Sequence, residues 1–245
     1  MPRGRQPLLK IDGKVVSERE LVEMEALLRQ GLTYAEIGER FCLTSRQVRG
    51  QNYWRFRIDP IPAFKTRIQR DGLPNRLHVD DAFGYWFAGL FDGEGHLGFH
   101  LSPTRSHQII LRAVVLMRAD NNEALHHIQS KLGIGALYLN RTYTYQNRPG
   151  ARPRSIWQVH SVADLGEVIV PMFERYPMFT KKKHEFPLWR EGVTIVYANT
   201  LGGQSNRALR DGFSAEEWRR LEAIEAELKQ LKHWIPSMAD GGEGS

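Results

Sequence analysis

The sequence predicts an α+β protein: an αββαββα domain, with a four-stranded antiparallel sheet and helices on one face, preceded by a small all-α unit. Three observations carry this. After residue 81, helical and strand-like segments alternate in that order; the strand-like segments come in consecutive pairs, which suits antiparallel neighbours; and three short, capped helical segments crowd residues 17–58. The expected organisation is a basic N-terminal arm (1–16), a helix-turn-helix unit (17–58), a basic Pro-rich linker (59–80), the α+β domain with a C-terminal helix (81–235) and a disordered tail (236–245).

Composition bounds the function. The chain has 245 residues with 34 Lys+Arg, 28 Asp+Glu, nine His and one Cys. A part of about 160 residues buries roughly two-thirds of its unfolded surface, so a sizeable core is available. Hydrophobic content of 41% with 25% charge excludes wholesale disorder and fibrous architecture. Cys42 has no second cysteine to bridge, which also removes every Cys-based zinc pattern. No apolar run approaches the roughly 18–20 residues of a membrane span, and the start MPRGRQPLLK lacks a signal peptide's apolar stretch. An intracellular soluble protein without a membrane partner is expected, in the cytoplasm or nucleoid of a bacterium or phage-infected cell.

The net charge of +6 is unevenly placed. Residues 1–80 hold 15 basic and 10 acidic side chains, and residues 96–183 hold 12 basic against 5 acidic. Two basic stretches suggest two surfaces for a polyanion; a solvated basic face without a partner is the bland alternative.

The elements follow in order. Ser17-x-x-Glu20 is a capping box, in which each side chain satisfies an orphan backbone N–H, and Leu21, Met24, Leu27 and Leu28 then share one face. Thr33-x-x-Glu36 repeats the device before Ile37 and Phe41, and Thr44-x-x-Gln47 opens a third helix. The pattern GLTYAEIGERFCLTSRQVRGQ resembles the helix-turn-helix domains of bacterial and phage DNA-binding proteins, with Arg46, Gln47, Arg49, Gln51 and Asn52 expected to face the major groove. Small trihelical units also serve as protein-interaction modules. Residues 59–80 carry three prolines, four Lys/Arg and one His without periodicity, and read as a linker. Residues 82–92 are helical by pattern, 96–102 and 108–116 are strands, and Asp120-x-x-Glu123 caps a helix ending near Gly133. Strands at 136–143 and 156–160 flank a Pro/Gly/Arg loop, and 162–176 is helical. Ser214-x-x-Glu217 caps a last helix, expected to pack on the domain rather than form a dimerising coil.

Residues 87–95 read Phe-Ala-Gly-Leu-Phe-Asp-Gly-Glu-Gly and end a helix. Gly84, Ala88 and Gly89 have little side chain, so a second helix backbone could approach closely. Asp92 and Glu94 fall where the helix dipole is negative and acids are disfavoured by about 0.3–1 kcal/mol. Two such carboxylates about 5 Å apart repel by roughly 3 kcal/mol at an effective dielectric of 20, and a hard divalent cation between them reverses the sign.

FAGLFDGEG resembles, position by position, the name-giving motif of the LAGLIDADG homing endonucleases, with Glu94 replacing its final acid. The following strands, LGIG (132–135) and YPMFTKKKHEF (176–186) keep the family's order, so the resemblance covers about residues 83–190. It implies a metal-dependent, sequence-specific double-strand DNA endonuclease leaving short 3′ overhangs, with Mg²⁺ (Mn²⁺ substituting) held by Glu94 and the Gly93 carbonyl. One motif copy implies a homodimer, joined through Gly84, Ala88, Gly89 and Asp92, on a near-palindromic site. The tail 238–245 lacks the preceding apolar helix of a second copy. Lys181 falls where the family places an active-site lysine, with Lys182 and Lys183 beside it, and Arg118 could reach the same phosphate. Met117 and Asn121 align to positions where some relatives carry polar or basic active-site residues.

Strand alternation leaves His96, His100, Gln108, Arg112, Tyr138, Asn140, Thr142, Gln158 and His160 on the sheet's open face, suited to read a duplex groove. Ile110, Val114 and Leu116 share that face. A histidine zinc site is not expected, because no Cys or carboxylate completes one around His126 and His127. Two other readings use the same fold: a DNA-binding regulator that has lost catalysis, and a maturase-like splicing cofactor that binds RNA. Flanking splice-type residues of a complete intein are absent.

Overall fold

A computed structural model describes residues 10–11, 14–102, 109–141, 153–203 and 212–233. The chain divides into two compact units, one of residues 1–73 with 198–206, the other of residues 74–197 with 207–245. Among the described residues no helix is long and apolar enough to cross a membrane.

The first unit begins within the expected arm, where β1 (Lys10–Ile11) and β2 (Lys14–Val15) form a minimal antiparallel pair. Three helices then follow: α1 (Glu18–Arg29), α2 (Tyr34–Phe41) and α3 (Ser45–Gln51). All three capping boxes form as read, with Ser17, Thr33 and Thr44 accepting from the backbone N–H three residues on. Leu21, Met24, Leu28, Ile37 and Val48 are buried between the helices.

The expected linker is in large part a fourth helix, α4 (Ile61–Asp71). Ile61, Phe64 and Ile68, spaced by three and four, are buried, and Arg67 makes a two-pronged ion pair with Glu36 at 2.5 and 2.8 Å. Burial pushes the Glu36 carboxyl up, but Arg67 and Thr33 outweigh it and hold the group below its ordinary value. The basic and proline residues had masked an apolar stripe of only three side chains. The unit therefore runs past residue 58 to residue 73.

The second unit keeps the expected order: α5 (Asp81–Glu94), β3 (Gly95–Leu101), β4 (Ile109–Arg118), α6 (Asn122–Leu132), β5 (Ala136–Arg141), β6 (Arg154–Val159) and a helical stretch. That last stretch comprises α7 (Val162–Asp164), a π-turn (Leu165–Ile169) and α8 (Val170–Arg175). The sheet is fully antiparallel in the order β3-β4-β6-β5. Leu97, Phe99, Ile109, Leu111, Ala113, Val115, Trp157 and Val159 are buried, as strand alternation requires. Against them lie Phe87, Phe91 and Phe173, with ring centroids 4.7–5.9 Å apart along the chain Phe87–Phe173–Phe91 and 5.7 Å from Phe87 to Trp157. Trp157 Nε1 donates to the Ile134 carbonyl at 3.0 Å, and Gly135, at φ 83°, passes so close to the indole that a Cβ would overlap it. That contact explains the second glycine of LGIG; the first, Gly133, ends α6 in the left-handed conformation at φ 66°.

Two further helices cover the β3 end. α9 (Lys182–Asn199), unforeseen because Pro187 interrupts its pattern, sends Trp189 Nε1 to the Gly98 carbonyl at 3.1 Å. α10 (Ala215–His233) packs on its own unit, burying Trp218, Leu221, Ile224 and Leu228, and ties to α9 through Arg220 and Glu191 at 2.6 Å. Glu225 of α10 accepts the Leu101 N–H at the outer strand and contacts His100 Nδ1 at 2.8 Å.

Candidate functional site

Helix α5 runs two residues past its expected end, and its two faces differ by one helical step. Gly84, Ala88 and Asp92, at spacing four, turn inward: a Cβ on Gly84 would overlap the Tyr176 ring, and Ala88 is buried. Gly89 and Gly93 turn outward, where a Cβ would meet nothing within 4 Å. Tyr85 and Trp86 flank this outer stripe at 63% and 40% exposure. The close-approach surface expected from Gly84, Ala88, Gly89 and Asp92 is therefore corrected: only Gly89 is open, and Gly93 joins it.

Asp92 is committed within its own chain. Its carboxylate accepts from the Phe179 and Thr180 N–H groups at 2.8 and 2.9 Å and from Thr180 Oγ1 at 2.5 Å. Burial pushes its carboxyl up, but these donors prevail and the group lies below its ordinary value. An aspartate in this position latches α5 to the segment before α9.

The lysine run is also resolved differently. Lys182, not Lys181, turns inward, and its Nζ donates to the Asp92 carbonyl at 2.6 Å. Burial lowers its pKa, opposed by the charges of Asp92, Glu185 and Glu94. The cation expected to compensate acid at the helix end is thus supplied in part by an ammonium. Lys181 and Lys183 are exposed and line a surface hollow with Phe179, Thr180, His184 and Leu231, and Glu94 does not line it.

Glu94, exposed at the α5 terminus, opens onto a depression of about 280 Å³ lined by Leu116, Met117, Arg118, Asn121 and Arg154. Arg118 was expected here and bonds Asp120 at 2.5 Å. Arg154 was missed because 154–155 read as loop; it begins β6 and pairs directly with Arg118 across the sheet. Had the strand been started two residues earlier, antiparallel register alone would have placed the two guanidinium groups together. Met117 and Asn121 both line this depression, and Leu116 there accounts for one apolar residue of the open face.

No group of three or more His, Cys, Asp or Glu able to hold a metal occurs among the described residues. With Asp92 engaged by Thr180, one chain offers Glu94 and the exposed Gly93 backbone. That set matches the few protein ligands Mg²⁺ takes alongside phosphate and water, but only as part of a site.

On the open sheet face, Arg112 and His160 are exposed and His96, Tyr138 and Gln158 are half-buried, while His100 is bonded to Glu225. Gln108, Thr142 and the Asn140 side chain lie outside the described residues. In the first unit Arg46 and Arg49 are exposed and Gln51 is half-buried. Gln47 closes its capping box, accepting from Thr44 N–H at 2.7 Å. Asn52 is buried and bonded internally, so it does not face a groove.

The chain is similar to "Probable intron-encoded endonuclease 3" of Neurospora crassa, 27% identical over 115 residues, covering 45% of this chain and 20% of that one. It is similar to "Probable intron-encoded endonuclease Cox1-I1b" of Schizosaccharomyces pombe at 24% over 157 residues, 63% of this chain and 35% of the other. It thus spans between a fifth and about a third of these relatives. Among solved structures it resembles the I-SmaMI LAGLIDADG homing endonuclease bound to cleaved DNA, with TM-score 0.47, 16% identity, and 69% and 52% of the two chains covered. It also resembles the homing endonuclease I-TnaI, with TM-score 0.37, 20% identity, and 58% and 97% covered. The family profile described as LAGLIDADG endonuclease matches residues 87–193, from the first residue of the FAGLFDGEG motif into α9. The stretch that builds the Glu94 depression is thus the part of the chain that is similar to the LAGLIDADG endonuclease family.

Proposed function

We propose that the chain is a site-specific double-strand DNA endonuclease that acts inside the cell as a homodimer on a long, near-palindromic site and leaves short 3′ overhangs. The observation that carries the reading is the exposed carboxylate of Glu94, set at the tip of a helix whose adjoining outer stripe is bare. One acid per chain makes a metal site only when a second tip stands beside it, and Gly89 and Gly93 permit that approach. Tyr85 and Trp86 would add apolar area around it.

In the assembled site Glu94 and the Gly93 carbonyl would hold Mg²⁺, or Mn²⁺ in its place. That ion supplies charge stabilisation at the phosphate and an activated water. The protein's own groups do the positioning. Arg118 and Arg154 stand opposite one another, and like charges so placed disfavour a sheet pair; a phosphate between them relieves the repulsion. Asp92 and Thr180 fix the angle at which α5 delivers Glu94. Lys182 offsets negative charge at the same helix end, and Lys181 and Lys183 are free to meet the flanking backbone. The open sheet face reads the duplex groove, and the helix-turn-helix unit adds a second anchor that lengthens the site.

A second reading, a DNA-binding regulator without cleavage, is favoured by Met117, which cannot order a water where it lines the depression. Incubation of the chain with a library of duplexes and Mg²⁺ separates the two. Cutting by the wild type, reduced about 10²–10³-fold in Glu94→Gln, is expected, since removing a main electrostatic group of a site costs about that much. Tight binding without cutting would establish the regulator instead.

A further inference from the structure

Asn52 is buried, and its bonds define what it does. Nδ2 donates to Tyr34 Oη at 3.0 Å and to the Ile58 carbonyl at 2.9 Å, while Oδ1 accepts from the Ile58 N–H at 3.0 Å. These bonds close a π-turn (Asn52–Phe56) that continues α3 and ends at Arg57, whose φ is 55° and whose N–H donates to the Asn52 carbonyl at 2.7 Å. The turn projects Tyr53 and Trp54 into solvent at 70% and 66% exposure, their rings edge-to-face with centroids 4.7 Å apart. Scattered exposed apolar residues need no explanation, but an adjacent aromatic pair held out by a buried, fully bonded asparagine does.

Its surroundings are cationic. Arg46 and Arg49 are exposed on α3 before the pair and Arg57 is exposed after it, none with a carboxylate partner among the described residues, whereas Arg55 is paired with Glu18. Guanidinium groups flanking flat apolar rings suit a ligand that alternates phosphates with aromatic bases. The support is a helix, the element a duplex major groove admits.

We propose that Tyr53 and Trp54, with Arg46, Arg49 and Arg57, form a duplex-DNA contact in which the rings pack on a base step or thymine methyls and the arginines meet the neighbouring phosphates. The proposal deepens the nuclease reading by assigning the second anchor its residues, and it is separable from cleavage. The full chain is titrated with a labelled duplex selected on the wild type from a random-sequence pool, with Ca²⁺ replacing Mg²⁺. The Tyr53→Ala/Trp54→Ala double variant is expected to lose about tenfold in affinity, the order of one good contact to base edges in the groove, with the salt slope unchanged because rings release no counterions. Arg46→Ala or Arg49→Ala is expected to weaken binding and lower the slope by about one. Trp54→Gln, read the same way, stands in if the double variant melts early.

Unchanged duplex affinity in both aromatic variants overturns the proposal. So does an effect confined to single strands of the same sequence, or a change in sedimentation of the protein alone, which would make the pair a contact between copies. If the wild type binds but cuts nothing with Mg²⁺, and the double variant releases the duplex, the nuclease reading fails and this one stands. Cutting with unaltered binding in the variants gives the reverse.

Discussion

The two units are held by different kinds of bond. In the first, α1, α2 and α3 each start with a residue three positions from its partner: Ser17 with Glu20, Thr33 with Glu36, Thr44 with Gln47. In the second, the decisive contacts join residues far apart in the chain, Asp92 to Thr180 across 88 positions and Lys182 to Asp92 across 90. Short-range bonds make a scaffold that tolerates change one helix at a time. Long-range bonds concentrate the geometry of the Glu94 tip in very few side chains, so that damage there is felt at the site.

The largest effect that sharpens this contrast is expected from Asp92→Ala. Three donors lose their acceptor in a partly buried place, costing up to about 3 kcal/mol at roughly 1 kcal/mol for each bond lost. Calorimetry should show the second unit melting earlier and the first unmoved. The pH dependence follows from the lowered carboxyl of Asp92. A group whose folded pKa lies below its unfolded value, about 3.9, stabilises fully above that value and loses its contribution as pH falls through the folded pKa. Acid should therefore erase the difference between wild type and Asp92→Ala only below about pH 4.

Intermediate effects should divide the faces of α5. Gly84→Ala forces a methyl into the Tyr176 ring and is expected to destabilise the chain by about 1–3 kcal/mol. Gly89→Ala meets open space and should raise the melting temperature slightly, since Ala is favoured over Gly in helices by about 1 kcal/mol. The same change is expected to weaken self-association in sedimentation equilibrium. If the two substitutions behaved alike, the division of the helix into an inner and an outer stripe would be wrong.

The smallest effects belong to the caps. Thr33→Ala and Thr44→Ala should each cost about 1 kcal/mol, add independently, and leave the second unit's transition in place.

How far the sequence could be read follows the same division. Capping boxes and strand alternation are written within three or four residues, and they appear in the structure as read, along with the order of the sheet domain, with one correction: Asp120-x-x-Glu123 makes no cap, because α6 starts after Asn121 without a side-chain cap bond and Asp120 pairs with Arg118 instead. The motif's inner and outer stripes were confused because Gly84, Ala88 and Gly89 look alike until a partner such as Tyr176 is known. Lys181 and Lys182 are adjacent and chemically identical, and only the packing of α9 decides which turns inward. Arg154 escaped because its strand starts two residues earlier than its periodicity shows. Asn52 looked like a base reader because burial is invisible in a side chain that suits both roles. Helix α4 went unread because three apolar positions among prolines and arginines make a faint stripe.

The outer strand of the sheet has a further consequence. With Glu225 plugging the Leu101 amide, part of the outer border of β3 is stitched shut. Lateral growth by strand addition there is blocked, so two copies cannot merge their sheets along that margin. Widening of the sheet beyond its four strands is left to the opposite margin, at β5.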